Sequence, residues 1–140
     1  MTLAMDAGAL DAFLKAEFPQ VGDDFDILEV TEDRLRVGLR VADRHLRPGG
    51  TVSGPTMFAL ADVGIYLAIL SRIGPKALAV TTNCSIDFMR KPEAGRGMIA
   101  EARLLKLGRV LAVGDVLLFS EGQDAPVARA SLTYSIPPKA

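Results

Sequence analysis

The 140-residue chain is poor in the residues that build disulfide frameworks and metal centres. It contains one cysteine, Cys84, one histidine, His45, and no tryptophan. A single cysteine excludes an intrachain disulfide and suits a reducing compartment, so we expect a cytoplasmic protein. One histidine and one cysteine provide no ligand spacing for a transition metal, and we therefore expect no metal site.

The chain also lacks a strong excess of positive or negative charge. The 16 Lys and Arg nearly balance the 17 Asp and Glu, which leaves a net charge of -1. This balance argues against a general nucleic-acid or anionic-membrane binder. The first residues, MTLAMDAGALDAFLKAEF, have no basic start and no long apolar run, so no secretion signal is expected. With 49% apolar and 24% charged residues, residues 1–140 are expected to form one globular domain with a sizeable core.

The most informative segment is the apolar run PTMFALADVGIYLAILS at 55–71, whose only charged side chain is Asp62. A helix that is apolar on nearly every face must be buried. A lone carboxylate in such a helix is costly to desolvate unless a partner satisfies it. Asp62 is therefore either a satisfied structural group or a catalytic one. We predict a central helix at 55–72, begun by Pro55 and ended by Gly74-Pro75.

Periodic patterns predict the other elements. Apolar residues at helical spacing predict an amphipathic helix over 4–18, within an N-terminal helical region at 1–20. Strand-like runs separated by turn signals fall at 25–31, 34–42, 77–89, 97–107, 109–119 and 126–136. Short turns join the last four, so we expect them to form an antiparallel meander. The predicted architecture is α+β, a curved antiparallel sheet wrapped around the central apolar helix.

The segment HLRPGGTVSGPTMFALAD at 45–62 resembles the signature of hotdog-fold acyl-CoA thioesterases of the phenylacetate-pathway (PaaI-like) family. The family's usual form is roughly an Asn, a glycine loop, His-Gly-Gly, and an Asp eight residues after the first of those glycines. The later TTNCSIDFMRKPEAG and KLGRV resemble its next strand and hairpin. The resemblance covers about residues 26–136. It implies a hotdog fold, a homodimer or dimer of dimers, and hydrolysis of an acyl-CoA thioester, with CoA as part of the substrate and no cofactor.

Thioester hydrolysis suggests roles for Gly54 and Asp62. The reaction needs a polarised carbonyl and an activated water or carboxylate nucleophile. A helix N-terminus at Gly54 offers free N–H groups and a positive dipole end to an oxyanion, and Asp62 supplies the base or nucleophile. Eight residues of helix span about 12 Å at 1.5 Å each, so Gly54 and Asp62 of one chain cannot both reach one carbonyl carbon. The site is therefore expected across a two-fold interface.

Three positions depart from the family's usual pattern. Ser53 stands where the family has His, Arg47 aligns with the Asn, and Pro55 replaces the second glycine. Ser53 is expected to be the N-cap of the helix, with a role as hydrogen-bond donor or nucleophile beside Gly54 as the alternative. Arg47 either brings positive charge to the mouth of the site or lies solvated in its loop. Thr81 aligns with a hydroxyl residue that assists catalysis in some members.

The remaining candidates lie on the strands and their ends. Period-2 alternation predicts Thr81 and Asn83 on one face and Thr82 on the other, which makes Asn83 a candidate substrate contact. Basic residues near strand ends are candidates for the CoA phosphates, or else form a solvated edge: Arg90, Lys91, Arg103, Lys106 and Arg109. His45 is expected in an exposed loop without a catalytic role, and Cys84 is expected to be a small core residue.

Two functions of different classes stay open. The first is a thioesterase that cleaves a medium-chain or aryl acyl-CoA. The second is a non-catalytic hotdog protein that binds or senses acyl-CoA, which the missing family histidine allows. A hotdog dehydratase or hydratase is a weaker third, because it needs an active-site histidine and His45 precedes the glycine loop. Turnover of a panel of thioesters separates the first two.

Overall fold

A computed structural model describes residues 3–138. In chain order, the helices and strands are α1 Ala7–Glu17, β1 Phe25–Val30, β2 Leu35–Leu39, α2 Gly54–Ile73, β3 Val80–Phe88, β4 Met98–Leu107, β5 Leu111–Ser120 and β6 Ala128–Ser135. Short 3-10 turns precede β1 and α2, at Gly22–Asp24 and Asp43–His45. The predicted elements are thus confirmed in type and order, with ends that differ by a few residues. Positions 1 and 2 of the predicted N-terminal helical region lie outside the described residues.

The six strands form one antiparallel sheet in the order β1-β2-β4-β5-β6-β3. Strands β4, β5 and β6 form a meander, but the predicted four-strand meander is wrong for β3. That strand pairs with β6 at the edge of the sheet and has no contact with β4 in the ladder. The link at 89–97 allows this, because extended chain covers about 3.3 Å per residue and neighbouring strands lie only about 4.8 Å apart.

Helix α2 forms the centre of the core. It has the length and hydropathy of a membrane span, yet 67% of its most apolar window is buried, as in the core helix of a soluble protein. Its largest side chains are fully covered, among them Leu60, Ile65, Leu67, Ile69 and Leu70. Burying each such side chain stabilises the fold by roughly 1.5–3 kcal/mol. Gly64 brings the helix close to the sheet, because a Cβ there would lie 3.5 Å from the Cβ of Ala102.

One stripe of α2 is not buried, although the sequence predicts a helix that is covered on nearly every face. Pro55, Phe58 and Ala59 are exposed and Asp62 is only half-buried, at the spacing that places residues on one helix face. The expectation that the whole helix is covered is wrong along this stripe, because within one chain the sheet wraps only the other faces. The uncovered stripe is apolar apart from Asp62.

Helix α1 packs beside the start of the sheet and ends near Asp62. Asp6 caps it, its Oδ1 accepting a hydrogen bond from the N–H of Ala9 at 2.9 Å. The preceding N–H of Ala4 donates to the carbonyl of Ser71 at 2.7 Å, which ties the segment to the end of α2. Leu10 and Leu14 are buried. This anchoring fixes the end of α1 at the mouth of a groove beside α2.

His45 is buried, with 7% of its surface exposed, so the expected exposed position is wrong. Its Nδ1 accepts a hydrogen bond from the N–H of Ala42 at 2.8 Å, and Nε2 lies 3.4 Å from Oδ2 of Asp24. Its carbonyl accepts from the N–H of Ser53 at 2.9 Å. The imidazole is covered because it closes the turn that leads to α2, which is a structural role.

Candidate active site

Two hydroxyl groups from the sheet hold the carboxylate of Asp62. Thr81 Oγ1 donates to Oδ1 at 2.5 Å, and the Tyr134 hydroxyl donates to the same oxygen at 2.7 Å. Within residues 3–138, no donor reaches the second oxygen, Oδ2. The carboxylate is therefore fixed through one oxygen and keeps the other for a water or a substrate.

Thr81 reaches the helix because β3 contains a bulge. Thr81 pairs with Tyr134 and Asn83 pairs with Thr133, so Thr82 is the extra residue between the two pairs. The predicted alternation, with Thr81 and Asn83 on one face, is wrong because an extra residue reverses it. Asn83 is exposed and lies on the outer face, away from Asp62 within the chain. Its contact with substrate stays a prediction.

Sequence reasoning missed Tyr134. Its side chain is 3% exposed, and its pKa is raised, first by burial and then by the negative charge of Asp62. The phenol therefore remains protonated and acts as a donor. The signal in the sequence was its inward position in the 126–136 strand run, since a buried tyrosine hydroxyl needs a hydrogen-bond partner.

Cys84 lies one register pair further along β3, opposite Leu132. It packs against the core, as the sequence predicted, and is half-buried. Burial raises the pKa of its thiol, and the charge of Asp62 adds to the rise. A thiol of this kind is a poor nucleophile, so Cys84 takes no part in the candidate site.

A groove of about 390 Å³ opens beside Asp62. Its walls come from α2, from the start of β3 and from the end of α1, a helix that sequence reasoning did not connect with the site. Most of the lining side chains are apolar or aromatic, including Phe18, Val63, Tyr66, Ala77 and Ala79. The Tyr66 hydroxyl donates to the carbonyl of Ala77 at 3.0 Å. The Tyr66 and Tyr134 rings lie 6.3 Å apart, which gives the groove an aromatic floor.

The N-terminus of α2 leaves one backbone donor free. Ser53 is the N-cap, as predicted, and its Oγ accepts from the N–H of Thr56 at 3.3 Å. The N–H of Met57 donates to the Ser53 carbonyl at 3.0 Å, and Pro55 has no N–H. The N–H of Gly54 makes no hydrogen bond to any described part of the chain. It is the donor that the helix end leaves available to a ligand.

A second groove, of about 330 Å³, surrounds Gly54. Three predicted substrate-binding residues line it together: Arg47, Arg90 and Lys91. Arg47 and Lys91 are exposed, and Arg90 Nε donates to the Pro126 carbonyl at 2.9 Å. The structure thus brings these cations together beside the free N–H.

Arg109 lies apart from this basic group. It is in the β4–β5 turn, at the sheet end where Val80 and Leu111 both pair with Ser135. Phe88, beside Gly54, lies at the opposite end of β3. Within one chain, Arg109 therefore does not join Arg90 and Lys91. Its contact with CoA would require a second copy of the chain and stays a prediction.

The family model of the "Thioesterase superfamily" matches residues 49–127, which hold Gly54, Asp62, Thr81, Arg90 and Lys91. The chain belongs to the thioesterase superfamily. The hotdog fold expected from the sequence is confirmed.

Similar proteins agree with this membership. A "putative thioesterase" from Silicibacter sp. TM1040 is 59% identical, and its crystal structure aligns with a TM-score of 0.92 over 99% of this chain and 96% of that one. A "putative esterase" of Pseudomonas aeruginosa is 33% identical over 105 residues, which are 74% of this chain and 76% of that protein.

Two further structures carry more specific names. The phenylacetic acid degradation protein PaaI from Thermus thermophilus, in a mutant form, is 30% identical, with a TM-score of 0.72 over 85% of this chain and 99% of that one. A protein from Streptococcus mutans, bound to acetyl-CoA, is 26% identical, with a TM-score of 0.70 over 82% of this chain and 90% of that one. The second of these similar proteins was thus solved with an acyl-CoA bound.

Proposed function

We propose that this protein is a cytoplasmic, PaaI-like acyl-CoA thioesterase that hydrolyses a medium-chain or aryl acyl-CoA to the acid and free CoA. The observation that carries the proposal is the carboxylate of Asp62, held through Oδ1 and open at Oδ2 beside a groove whose lining side chains are mostly apolar or aromatic. No metal or cofactor is part of the proposed reaction. A carboxylate of this kind can deprotonate a water or attack a carbonyl directly.

The proposed active form is a two-fold dimer built through β3. This strand is an edge of the sheet, and soluble proteins rarely leave a long edge unpaired. Large apolar side chains are exposed along it and on the neighbouring stripe of α2: Leu78 81%, Val80 56%, Phe88 52%, Met89 44% and Phe58 39%. A concentration of exposed apolar surface of this kind is typical of an interface. Sedimentation distinguishes this dimer from a dimer of dimers.

Symmetry then completes the site. In an antiparallel pair of β3 strands, the start of one strand lies opposite the end of the other. Thr81, at the start, contacts Asp62, whereas Phe88, at the end, lies beside Gly54. The pairing therefore brings Asp62 of one copy towards Gly54 of the other, twice per dimer.

In the proposed reaction, the thioester oxygen accepts a hydrogen bond from the N–H of Gly54. Asp62 Oδ2 of the other copy takes a proton from water, and the water oxygen bonds to the carbonyl carbon. The negative charge that develops on the carbonyl oxygen is stabilised by that N–H and by the dipole of α2. The C–S bond then breaks, and the CoA sulfur leaves with the proton that Asp62 holds. Direct attack by Asp62 is the alternative first step.

The two grooves fit the two parts of an acyl-CoA. Arg47, Arg90 and Lys91 provide positive charge for the CoA phosphates. The groove beside Asp62 offers Phe18 and Tyr66 to an apolar or aromatic acyl group. The acetyl-CoA complex of the Streptococcus mutans protein supports this class of ligand.

The test is release of free thiol from a panel of acyl-CoAs with short, medium, long and aryl acyl groups. We expect turnover of a medium-chain or aryl member, and loss of at least about a hundredfold in kcat in Asp62→Asn. The variant should remain folded, because its side chain keeps the same shape. The matched control is Asp26→Asn, which removes an exposed carboxylate that pairs with Arg40 at the opposite edge of the sheet.

The non-catalytic alternative predicts a different result from the same panel. Ser53, which occupies the position of the family histidine, is engaged as a helix cap, and this favours the alternative. Acyl-CoA binding by calorimetry without any thiol release would contradict the thioesterase and support a binding or sensing protein.

A further inference from the structure

Tyr134 and Thr81 donate to the same oxygen of Asp62, and this arrangement decides which oxygen is free. The Tyr134 hydroxyl also lies 3.2 Å from the backbone carbonyl of Asp62, so it contacts both the side chain and the main chain of that residue. A terminal carboxylate torsion is otherwise broad and roughly two-fold. Without these donors, the carboxylate would be free to rotate about this torsion, and its open oxygen would have no fixed direction.

The two donors differ in rigidity. Thr81 is half-buried on β3, which within one chain pairs on one side only. Tyr134 is 3% exposed on β6, which pairs with β5 and with β3. Its ring packs 6.3 Å from that of Tyr66. Tyr134 is therefore the more firmly held donor, fixed by packing before any ligand binds.

The protonation state of Tyr134 also allows its hydroxyl to donate to the Asp62 carboxylate. Burial and the neighbouring carboxylate both raise the pKa of the phenol. A neutral phenol donates to the carboxylate, whereas a phenolate would repel it. The donor is thus retained throughout the neutral range.

We propose that Tyr134 is a positioning residue that holds Oδ1 of Asp62, so that Oδ2 alone faces the reacting carbonyl. The proposal rests on the proposed thioesterase function. It assigns the Tyr134 hydroxyl no contact with the substrate, and the ring, which lines the groove beside Asp62, is kept in the test variant. It therefore concerns the geometry of the base and leaves the affinity for acyl-CoA unchanged.

The test compares Tyr134→Phe with wild type on the best thioester substrate. Because only one oxygen is removed, kcat should fall by about ten- to a hundredfold, while KM changes by less than about twofold. Thr133→Val is the matched control, since it removes the adjacent β6 hydroxyl from the outer face. It should retain wild-type kcat, and thermal unfolding of both variants reports on their fold.

Repeating the Tyr134→Phe change in the Asp62→Asn variant separates a positioning role from a general loss of structure. In Asp62→Asn, adding Tyr134→Phe should cost less than about twofold in the residual rate, because the group it orients is already gone. A full additional loss there would overturn the proposal. Thr81→Val provides a second variant with the same expected signature, a fall in kcat at constant KM.

The outcomes are distinct. An active wild type with Tyr134→Phe within about threefold of its kcat overturns the role of Tyr134 and leaves the proposed function standing. A rise in KM at constant kcat also overturns it, because that result assigns Tyr134 to binding. Absence of turnover by the wild type overturns the thioesterase proposal, and the positioning role falls with it.

Discussion

Gly54 and Asp62 lie eight residues apart on α2 and open into two different grooves of the same chain. The Gly54 groove holds a free backbone N–H and three cations, whereas the Asp62 groove holds an oriented carboxylate and apolar walls. In the proposed mechanism, each groove supplies half of the groups that thioester hydrolysis requires. The function proposed for this chain therefore depends on a second copy, and the predictions below test each half and their combination.

The free N–H of Gly54 is tested by Gly54→Pro, with Gly54→Ala as the control. Proline is favoured in the first turn of a helix, and Ser53 already has the extended backbone, with ψ 156°, that a residue before proline adopts. Pro55 disfavours a helical backbone at a preceding residue that carries a Cβ, and Gly54→Ala controls for this strain because it adds the same Cβ. The change deletes the donor, so kcat should fall by about a hundredfold. Gly54→Ala keeps the N–H and should lose much less. Equal losses in the two variants would show that steric blocking, and not the donor, matters here.

Ser53 is tested by Ser53→Ala and Ser53→His on one substrate at one pH. Because the hydroxyl caps α2, Ser53→Ala should lower the free energy of unfolding by about 1 kcal/mol and change kcat by less than tenfold. Ser53→His should preserve or raise kcat. A loss of about a hundredfold in Ser53→Ala, with the assembly intact, would make the serine an essential donor or nucleophile.

The raised pKa values of the two tyrosines predict that the protein loses stability at high pH. Burial raises the pKa of both Tyr66 and Tyr134, so above about pH 10 the unfolded chain loses these protons before the folded one. The folded state then binds more protons, and the free energy of unfolding must fall as the pH rises. The stabilisation that these two hydroxyl groups contribute is fully present below about pH 10.

Urea unfolding between about pH 9 and about pH 11 measures this fall. Tyr134→Phe should be less stable than wild type at the lower pH but should lose less stability over the interval, and Tyr66→Phe provides the comparison. Tyrosinate absorbance gives an independent check, because the chain has two tyrosines and no tryptophan. Parallel losses in wild type and Tyr134→Phe would contradict the raised pKa.

Local patterns were enough to predict the helices and strands and to single out Asp62. The apolar run around it and the alternating strands reflect burial, which the sequence records directly. The position of β3 beside β6 could not be predicted in this way, because strand order depends on contacts between distant segments. Without the fold, the turn signals at Pro92 and Gly95 were equally compatible with a hairpin.

The site was predictable only in part. Gly54, Ser53 and Thr81 follow from the signature and its spacing, but the bulge at Thr82 altered the face of Asn83. A bulge adds one residue without any necessary change in strand composition, so alternation alone cannot reveal it. Tyr134 was missed because its partner, Asp62, lies 72 positions away. The end of α1 was missed for the same reason.

The most direct measurement of the shared site mixes two inactive variants, Asp62→Asn and Gly54→Pro. A mixed dimer has one site with both changes and one site with neither, because each site takes Asp62 from one copy and Gly54 from the other. Exchange of subunits should therefore restore thiol release, to at most about a quarter of the wild-type rate per chain in an equal mixture. Sedimentation should show dimers or larger assemblies throughout. Mixed dimers with no recovered activity, or a fully active monomer, would contradict a site built from two chains.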